Sequence, residues 1–204
     1  MKLVGKLDSP YVRRVAISLT LMEVPFEHVS LSVFQDEAAF VAINPVLKAP
    51  SLMTEDGTVL MESTLILDHI EHGLPPARRL MPEDAPDRTQ VLHTLGFALV
   101  AADKAVQLVY ERTRRPPDRQ YQPWAERIVD QVHAAFSMLD ARYARCAGDW
   151  LLGTVSQADI STAVAWTFAR NEIPDIVTGD AYPALLRLAA RAEALPAFLK
   201  WQPK

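Results

Sequence analysis

The apolar positions of this chain change their period near residue 75, and that change divides it in two. In the first part, short apolar runs alternate with helical stripes. Residues 2–6 carry Leu3 and Val4 between lysines, the pattern of a short strand. Ser9-Pro10 marks a helix start, since proline suits the first helical position. Val12, Val15, Ala16, Leu19 and Met22 then recur at helical spacing until Pro25, and residues 26–31 read as a second strand. Two further strands, 51–54 and 59–61, flank Glu55-Asp56-Gly57, where Asp-Gly between apolar runs signals a hairpin. Ser63 is expected to cap a helix carrying Leu65, Ile66, Leu67 and Ile70. The predicted order is β-α-β followed by β-β-α.

The second part predicts helix after helix. Residues 88–112 place Val91, Leu92, Leu95, Leu99, Ala102, Val106 and Val109 on one broad stripe, and 123–147 repeat the pattern with Ile128, Val132, Ala135, Phe136 and Leu139. Ser156 and Asp159 form a capping box ahead of a third helix, with Val155 and Ile160 placed as its hydrophobic staple. Residues 183–194 give a fourth. Seven alanines fall in residues 1–85 and twenty-one in 86–204, which agrees with a helical second part. Between the parts, Gly73 and four prolines (75, 76, 82 and 86) make a linker. The expected organisation is therefore a domain over 1–78, a linker over 79–87 and an all-helical domain over 88–204.

Composition narrows the function. Of 204 residues, half are hydrophobic and 23% charged, enough for a sizeable core. The net charge of −4 argues against a nucleic-acid partner, which favours a basic face. The longest stretch near the middle free of both charge and strong polarity, 96–102, is short of a membrane span, and the first six residues lack the apolar run of a signal peptide. Cys146 is the single cysteine, so no internal disulfide forms, and a reducing, cytoplasmic setting is expected. His69 and His72 lie one helical turn apart without an evident third ligand, so no metal site is expected. Arg112, Arg114, Arg115 and Arg119 cluster around Pro116-Pro117, either as a solvated helix end or as an anion site.

Three motifs add a family resemblance. They are Ser9-Pro10-Tyr11-Val12-Arg13-Arg14-Val15 after the first strand, Asn44-Pro45-Val46-Leu47-Lys48-Ala49-Pro50-Ser51-Leu52 followed by Glu62-Ser63, and Ser156-Gln157-Ala158-Asp159-Ile160. In this order and at these distances they make the whole chain resemble the glutathione transferase family, in a serine-type bacterial branch. The resemblance implies an α+β fold in two domains: a thioredoxin-like βαβ-ββα N-terminal domain and an all-α helical-bundle C-terminal domain. It further implies a cytoplasmic homodimer in detoxification, with glutathione as co-substrate and a small hydrophobic electrophile as its partner in the reaction.

That expectation has a chemistry. A thiol of pKa about 8.5 is only a few per cent ionised at neutral pH. Lowering it by about two units takes ~2.7 kcal/mol of preferential thiolate stabilisation. A hydroxyl donor supplies about 1.5–3 kcal/mol of that, and a helix N-terminus adds more. Ser9 is the candidate for both roles, although serine is equally a plain helix cap, and Tyr11 is the rival hydroxyl. Pro50 is expected to follow a cis peptide, exposing the Ala49 backbone for strand-like pairing with the cysteinyl unit. Leu47 stands where many relatives have glycine. Lys48 is a candidate for the glycyl carboxylate, Ser63 for the γ-glutamyl carboxylate at a helix start, and Glu62 for the γ-glutamyl ammonium. Asp103 is a further candidate near a partner subunit's glutathione, and residues 95–102 suit the dimer face. Phe34, Tyr110, Arg114 and Trp166 are candidates for an electrophile pocket expected between the domains. Two alternatives stay open: a non-catalytic binding or regulatory module on the same fold, and a glutathione-dependent isomerase or dehalogenase on the same site.

Overall fold

A computed structural model describes residues 1–203 and divides them into two compact units, Met1–Met81 with the C-terminal segment from Leu195, and Pro82–Ala194. The first unit is built on four strands: β1 (Lys2–Val4), β2 (Glu27–Val29), β3 (Ser51–Met53) and β4 (Val59–Met61). Their order in the sheet is β2-β1-β3-β4. β1 pairs parallel with β2 and antiparallel with β3, which pairs antiparallel with β4, with Leu3 opposite Leu52. Helix α1 (Pro10–Leu21) supplies the crossover that a parallel pair needs, and α3 (Ser63–His72) follows the hairpin. Leu3, Val12, Val15, Leu19, Leu52, Ile66 and Ile70 close the core between sheet and helices. The arrangement is thioredoxin-like and follows the β-α-β/β-β-α order in the sequence pattern. A five-residue helix, α2 (Glu37–Val41), was absent from that pattern; its single buried residue, Phe40, carries too little periodicity to announce it.

The second unit holds α4 (Ala85–Thr113), α5 (Gln122–Ala144), α6 (Gln157–Glu172) and α7 (Pro183–Glu193). Helix α4 buries Val91, Leu95, Ala98, Ala102, Ala105 and Leu108, and packs against α5 and α6. By length and composition α4 passes for a membrane-crossing helix, and 44% of its most apolar stretch is buried in the structure. The 29-residue helix is thus much longer than the run 96–102 that the sequence pattern singled out.

At the start of α6 the capping box is formed, and the Asp159 carboxylate is fully buried. It accepts from the Ser156 N–H at 2.9 Å, the Ser156 hydroxyl at 2.6 Å, the Leu151 N–H at 2.9 Å and the Tyr143 hydroxyl at 3.1 Å. Burial pushes the Asp159 carboxyl above its usual range despite these donors, and pushes the Tyr143 hydroxyl well above its own.

The last helix, α8 (Pro196–Lys200), departs from the expected organisation. The sequence pattern puts residues from 195 onward in the helical domain, yet α8 packs on α1 of the first unit. The Arg13 Nε donates to the Trp201 carbonyl at 2.8 Å, and the Trp201 indole N–H donates to the Thr20 hydroxyl at 2.7 Å. The Trp201 ring lies 5.2 Å from that of Phe26. These long-range contacts have no signature in local periodicity.

Asp159→Ala leaves three residues' donors without their shared acceptor and is expected to destabilise the chain by about 3 kcal/mol. Ser156→Ala is expected to cost about 1 kcal/mol. Urea denaturation followed by circular dichroism measures both, and equal costs would remove Asp159 from its central place.

Candidate functional site

One end of the first unit gathers the starts of α1 and α3 and the loop that leads into β3. Ser9 is the N-cap of α1, half-buried, and its Oγ accepts the Val12 N–H at 3.5 Å. As the acceptor in this long bond, the hydroxyl keeps its own hydrogen for donation. Cap and donor are therefore compatible roles for Ser9.

Gly5 makes the approach possible. It adopts φ +139°, and a Cβ built there would lie 2.6 Å from Val12 Cγ2 and 3.1 Å from the Ala49 Cβ. The end of β1, the first turn of α1 and Ala49 thus meet around a residue that has no side chain. The Ala49–Pro50 bond is cis, as the resemblance implied, with Ala49 half-buried and Pro50 buried.

The loop itself is organised by Asn44, which is buried. Its Nδ2 donates to the Ser51 hydroxyl at 2.9 Å and to the Lys48 carbonyl at 3.5 Å, and its Oδ1 accepts the Val46 N–H at 3.0 Å. Leu47 sits at φ 55°, the left-handed conformation that glycine adopts without cost, so the loop keeps its turn despite the side chain. Lys48 is exposed, with its ammonium 6.0 Å from the centre of the Tyr11 ring.

The start of α3 differs from the expectation at one point. Glu62, not Ser63, is the N-cap, and its Oε2 accepts the N–H groups of Thr64 at 3.0 Å and Leu65 at 3.3 Å. Ser63 is the first residue of the helix and only 1% exposed. The helix-start donors proposed for a ligand carboxylate therefore already hold one, that of Glu62. Glu62 adopts φ 73°, a region that costs a residue with a side chain about 1–3 kcal/mol, and the two cap bonds offset that strain. Beneath it, Arg14 donates to the hydroxyls of Ser63 at 2.9 Å and Thr64 at 3.2 Å.

Ser9, Lys48, Ala49, Pro50, Glu62 and Ser63 thus lie on segments held together at this end. Sequence reasoning passed over Gly5, Asn44 and Arg14 as separate groups. The available signals were a glycine between strand and helix and a cation, Arg14, beside the apolar face of α1.

Other candidates fall elsewhere. Trp166 is 3% exposed and packs edge-on against the rings of Phe136 and Tyr182, so it belongs to the helical core. Tyr110 and Arg114 line a cavity of about 460 Å³ within the helical unit, together with Gln107 and Trp124, while Phe34 is exposed in the first unit. Within the arginine cluster, carboxylate partners engage Arg112, Arg115 and Arg119. Arg112 makes paired bonds to Asp175 at 3.0 and 2.9 Å, Arg115 bonds Glu111 at 2.8 Å and Arg119 bonds Asp118 at 3.3 Å. Asp103 accepts from Gln107 at 2.8 Å and pairs with Lys104 at 3.1 Å. His69 and His72 are exposed in the last turn of α3. Among the described residues no group of three His, Cys, Asp or Glu could hold a metal ion.

Comparison with known proteins is consistent with this geometry. The model of the glutathione S-transferase N-terminal domain matches residues 3–77. The chain is 28% identical over 166 residues to the uncharacterized GST-like protein YibF of Escherichia coli K12, covering 81% of this chain and 80% of that protein. It is 27% identical over 212 residues to maleylacetoacetate isomerase of Pseudomonas aeruginosa, covering 100% and 96% of the two. A crystal structure of a glutathione S-transferase from Methylobacillus flagellatus with GSH bound superposes with a TM-score of 0.91 at 25% identity, over 100% of this chain and 99% of the other.

Gly5→Ala forces a Cβ into Val12 and Ala49 at a φ hostile to side chains, and is expected to cost about 2–4 kcal/mol of stability. Asn44→Ala removes three loop bonds and is expected to cost about 2 kcal/mol. Leu47→Gly relieves the left-handed strain and should leave stability unchanged or raise it by up to about 1 kcal/mol. Denaturant midpoints of the three variants check all three signs.

Proposed function

The chain belongs to the glutathione S-transferase family, and from that premise we propose that it binds glutathione at the end of its first unit and attacks a small hydrophobic electrophile with the glutathione thiolate. The observation that carries this reading is the joining of three groups: the Ser9-capped start of α1 and the Ala49–Pro50 loop close on each other around Gly5, and Arg14 ties α1 to the start of α3. The Ala49 backbone pairs with the cysteinyl unit as an added strand would. The Ser9 hydroxyl donates to the sulfur, and the first turn of α1 adds the positive end of its dipole. Lys48 takes the glycyl carboxylate. Ser63 takes the γ-glutamyl carboxylate and Glu62 the γ-glutamyl ammonium, which requires the Glu62 side chain to leave the helix start that it caps.

The enzyme reading is supported by the family and by relatives named as transferases and as an isomerase. The isomerase reading has a specific basis, because the chain aligns end to end with maleylacetoacetate isomerase of Pseudomonas aeruginosa. The two readings share the thiolate and differ in the electrophile. A homodimer in the cytoplasm completes the proposal. Leu95, Ala98 and Ala102 are buried within the helical unit, so the face left for a second copy is the outward stripe of Leu92 and Val100, each nearly half exposed. A role in detoxification follows the transferase reading.

Ultraviolet titration of bound glutathione tests the thiolate step. The wild-type complex is expected to show a thiol pKa about two units below that of free glutathione, with Ser9→Ala returning most of that shift. Turnover at neutral pH in Ser9→Ala should fall by roughly 10–100-fold, the factor that one charge-assisted hydrogen bond carries. Binding with an unshifted thiol would make the protein a glutathione-binding module instead. A shift that survives Ser9→Ala would move the donor role to Tyr11 or the backbone.

A further inference from the structure

Gly5 follows directly on β1, and β2 holds both of its polar groups. Its N–H donates to the Val29 carbonyl at 3.0 Å, which carries the parallel ladder one residue past the strand. Its carbonyl meets the Nε2 of His28, a half-buried side chain of β2, at 2.8 Å. A carbonyl oxygen only accepts, so His28 Nε2 carries a hydrogen and donates it, as the neutral Nε2–H tautomer or as the cation. The imidazole is itself held from the far end of the chain. The Trp201 ring stands edge-on to it, with centroids 5.5 Å apart and planes at 81°. Trp201 is anchored at two points on α1, donating to the Thr20 hydroxyl at 2.7 Å and accepting from Arg13 Nε at 2.8 Å.

From Gly5 the chain reaches Ser9 in a single turn. The Gly5 carbonyl and the Lys6 N–H share one planar peptide, and the Lys6 carbonyl accepts the Ser9 N–H at 3.2 Å. Gly5 has little room to move toward α1, since even a Cβ there would lie 2.6 Å from Val12 Cγ2. The tilt of the Gly5–Lys6 peptide therefore sets where the Ser9 hydroxyl stands on the first turn of α1. We infer that His28 is a positioning residue for the thiolate site, acting through the Gly5 carbonyl on Ser9, with the C-terminal Trp201 holding its ring in place. The inference rests on the glutathione reading proposed above and deepens it, because it names the residue that orients the Ser9 donor. His28 acts on the thiol through Ser9 alone, so its effect is confined to ionisation of the sulfur and leaves the rest of the ligand's contacts unchanged.

The test is an ultraviolet titration of bound glutathione in three variants. His28→Phe keeps a ring against Trp201 and removes the donor. His28→Gln keeps an amide N–H near the place of Nε2, and His28→Asn is too short to bring one there. His28→Phe is expected to raise the thiol pKa of bound glutathione by about one unit, a tenfold loss of thiolate formation, and His28→Gln by less than about 0.3 unit. Affinity for S-methylglutathione, which has no thiol to ionise, should change less than about twofold in both. In a Ser9→Ala background His28→Phe should add less than about 0.3 unit, because the hydroxyl that it positions is already gone. Should His28→Phe fail to fold, as circular dichroism would show, the contrast between His28→Asn and His28→Gln decides, with the asparagine variant expected to lose the thiolate and the glutamine variant to keep it. A lowered denaturation midpoint with an unmoved thiol pKa would make His28 a structural residue and overturn the inference. Equal shifts in the variants with and without the donor, or a full shift in the Ser9→Ala background, would overturn it too. A wild-type protein whose bound thiol is unshifted would overturn the thiolate reading itself, and this inference with it.

Discussion

A buried cation must be surrounded by acceptors, and the Arg14 guanidinium imposes that demand on the first unit. Ser63 and Thr64, which accept from it, belong to the first turn of α3, so α1 and α3 are bound together at their starts as well as along their apolar faces. Ser63 and Thr64, held in place, meet part of the cost of burying the charge. Glu62 holds them, at φ 73°, by capping the same turn with its carboxylate. Backbone strain, a capped helix start and a buried ion form one arrangement, and it lies at the end of the unit proposed above to bind glutathione.

The same end shows how close packing positions backbone for recognition. β1 is only three residues long, and directly after it Gly5 lets Val12 and Ala49 close to within contact. The Gly5 N–H bonds the Val29 carbonyl at 3.0 Å while its own carbonyl meets His28 Nε2 at 2.8 Å, so the turn is tied to β2. Asn44 performs the equivalent service for the loop before β3. The residues that would touch a ligand are therefore held by others that would not.

In the helical unit the organising group is again a buried charge, here the Asp159 carboxylate. Its donors come from α5, from the loop at Leu151 and from the start of α6, which makes a capping box into a junction of three segments. Asp140 does a related job across the unit, accepting the N–H groups of Ala184 and Leu185 at 2.8 and 3.0 Å where α7 begins. The apolar faces of α4, α5 and α6 supply the bulk of the contact, and these carboxylates fix where the helices begin.

Local chemistry was legible in the chain alone. Periodicity placed all four strands and the main helices, because a face that must be buried repeats at 2 or 3.6 residues wherever it occurs. Ser9-Pro10, Asp56-Gly57 and Ser156–Asp159 announced their turns and caps, since those side chains act on backbone within four residues. The motif residues 9, 44–52, 62 and 63 were readable as a set, though not how they meet. What only the tertiary structure decided was every interaction between residues distant in sequence. Glu62 took the cap expected of Ser63 because its carboxylate reaches the helix donors over a strained backbone. Arg14 found its partners 49 and 50 residues away, and Trp201 found Thr20 across 181. Trp166 turned inward because Phe136 of α5 and Tyr182 at the start of α7 converge on it. Spacing along a chain records which face a residue occupies, whereas the partner on that face is set by packing.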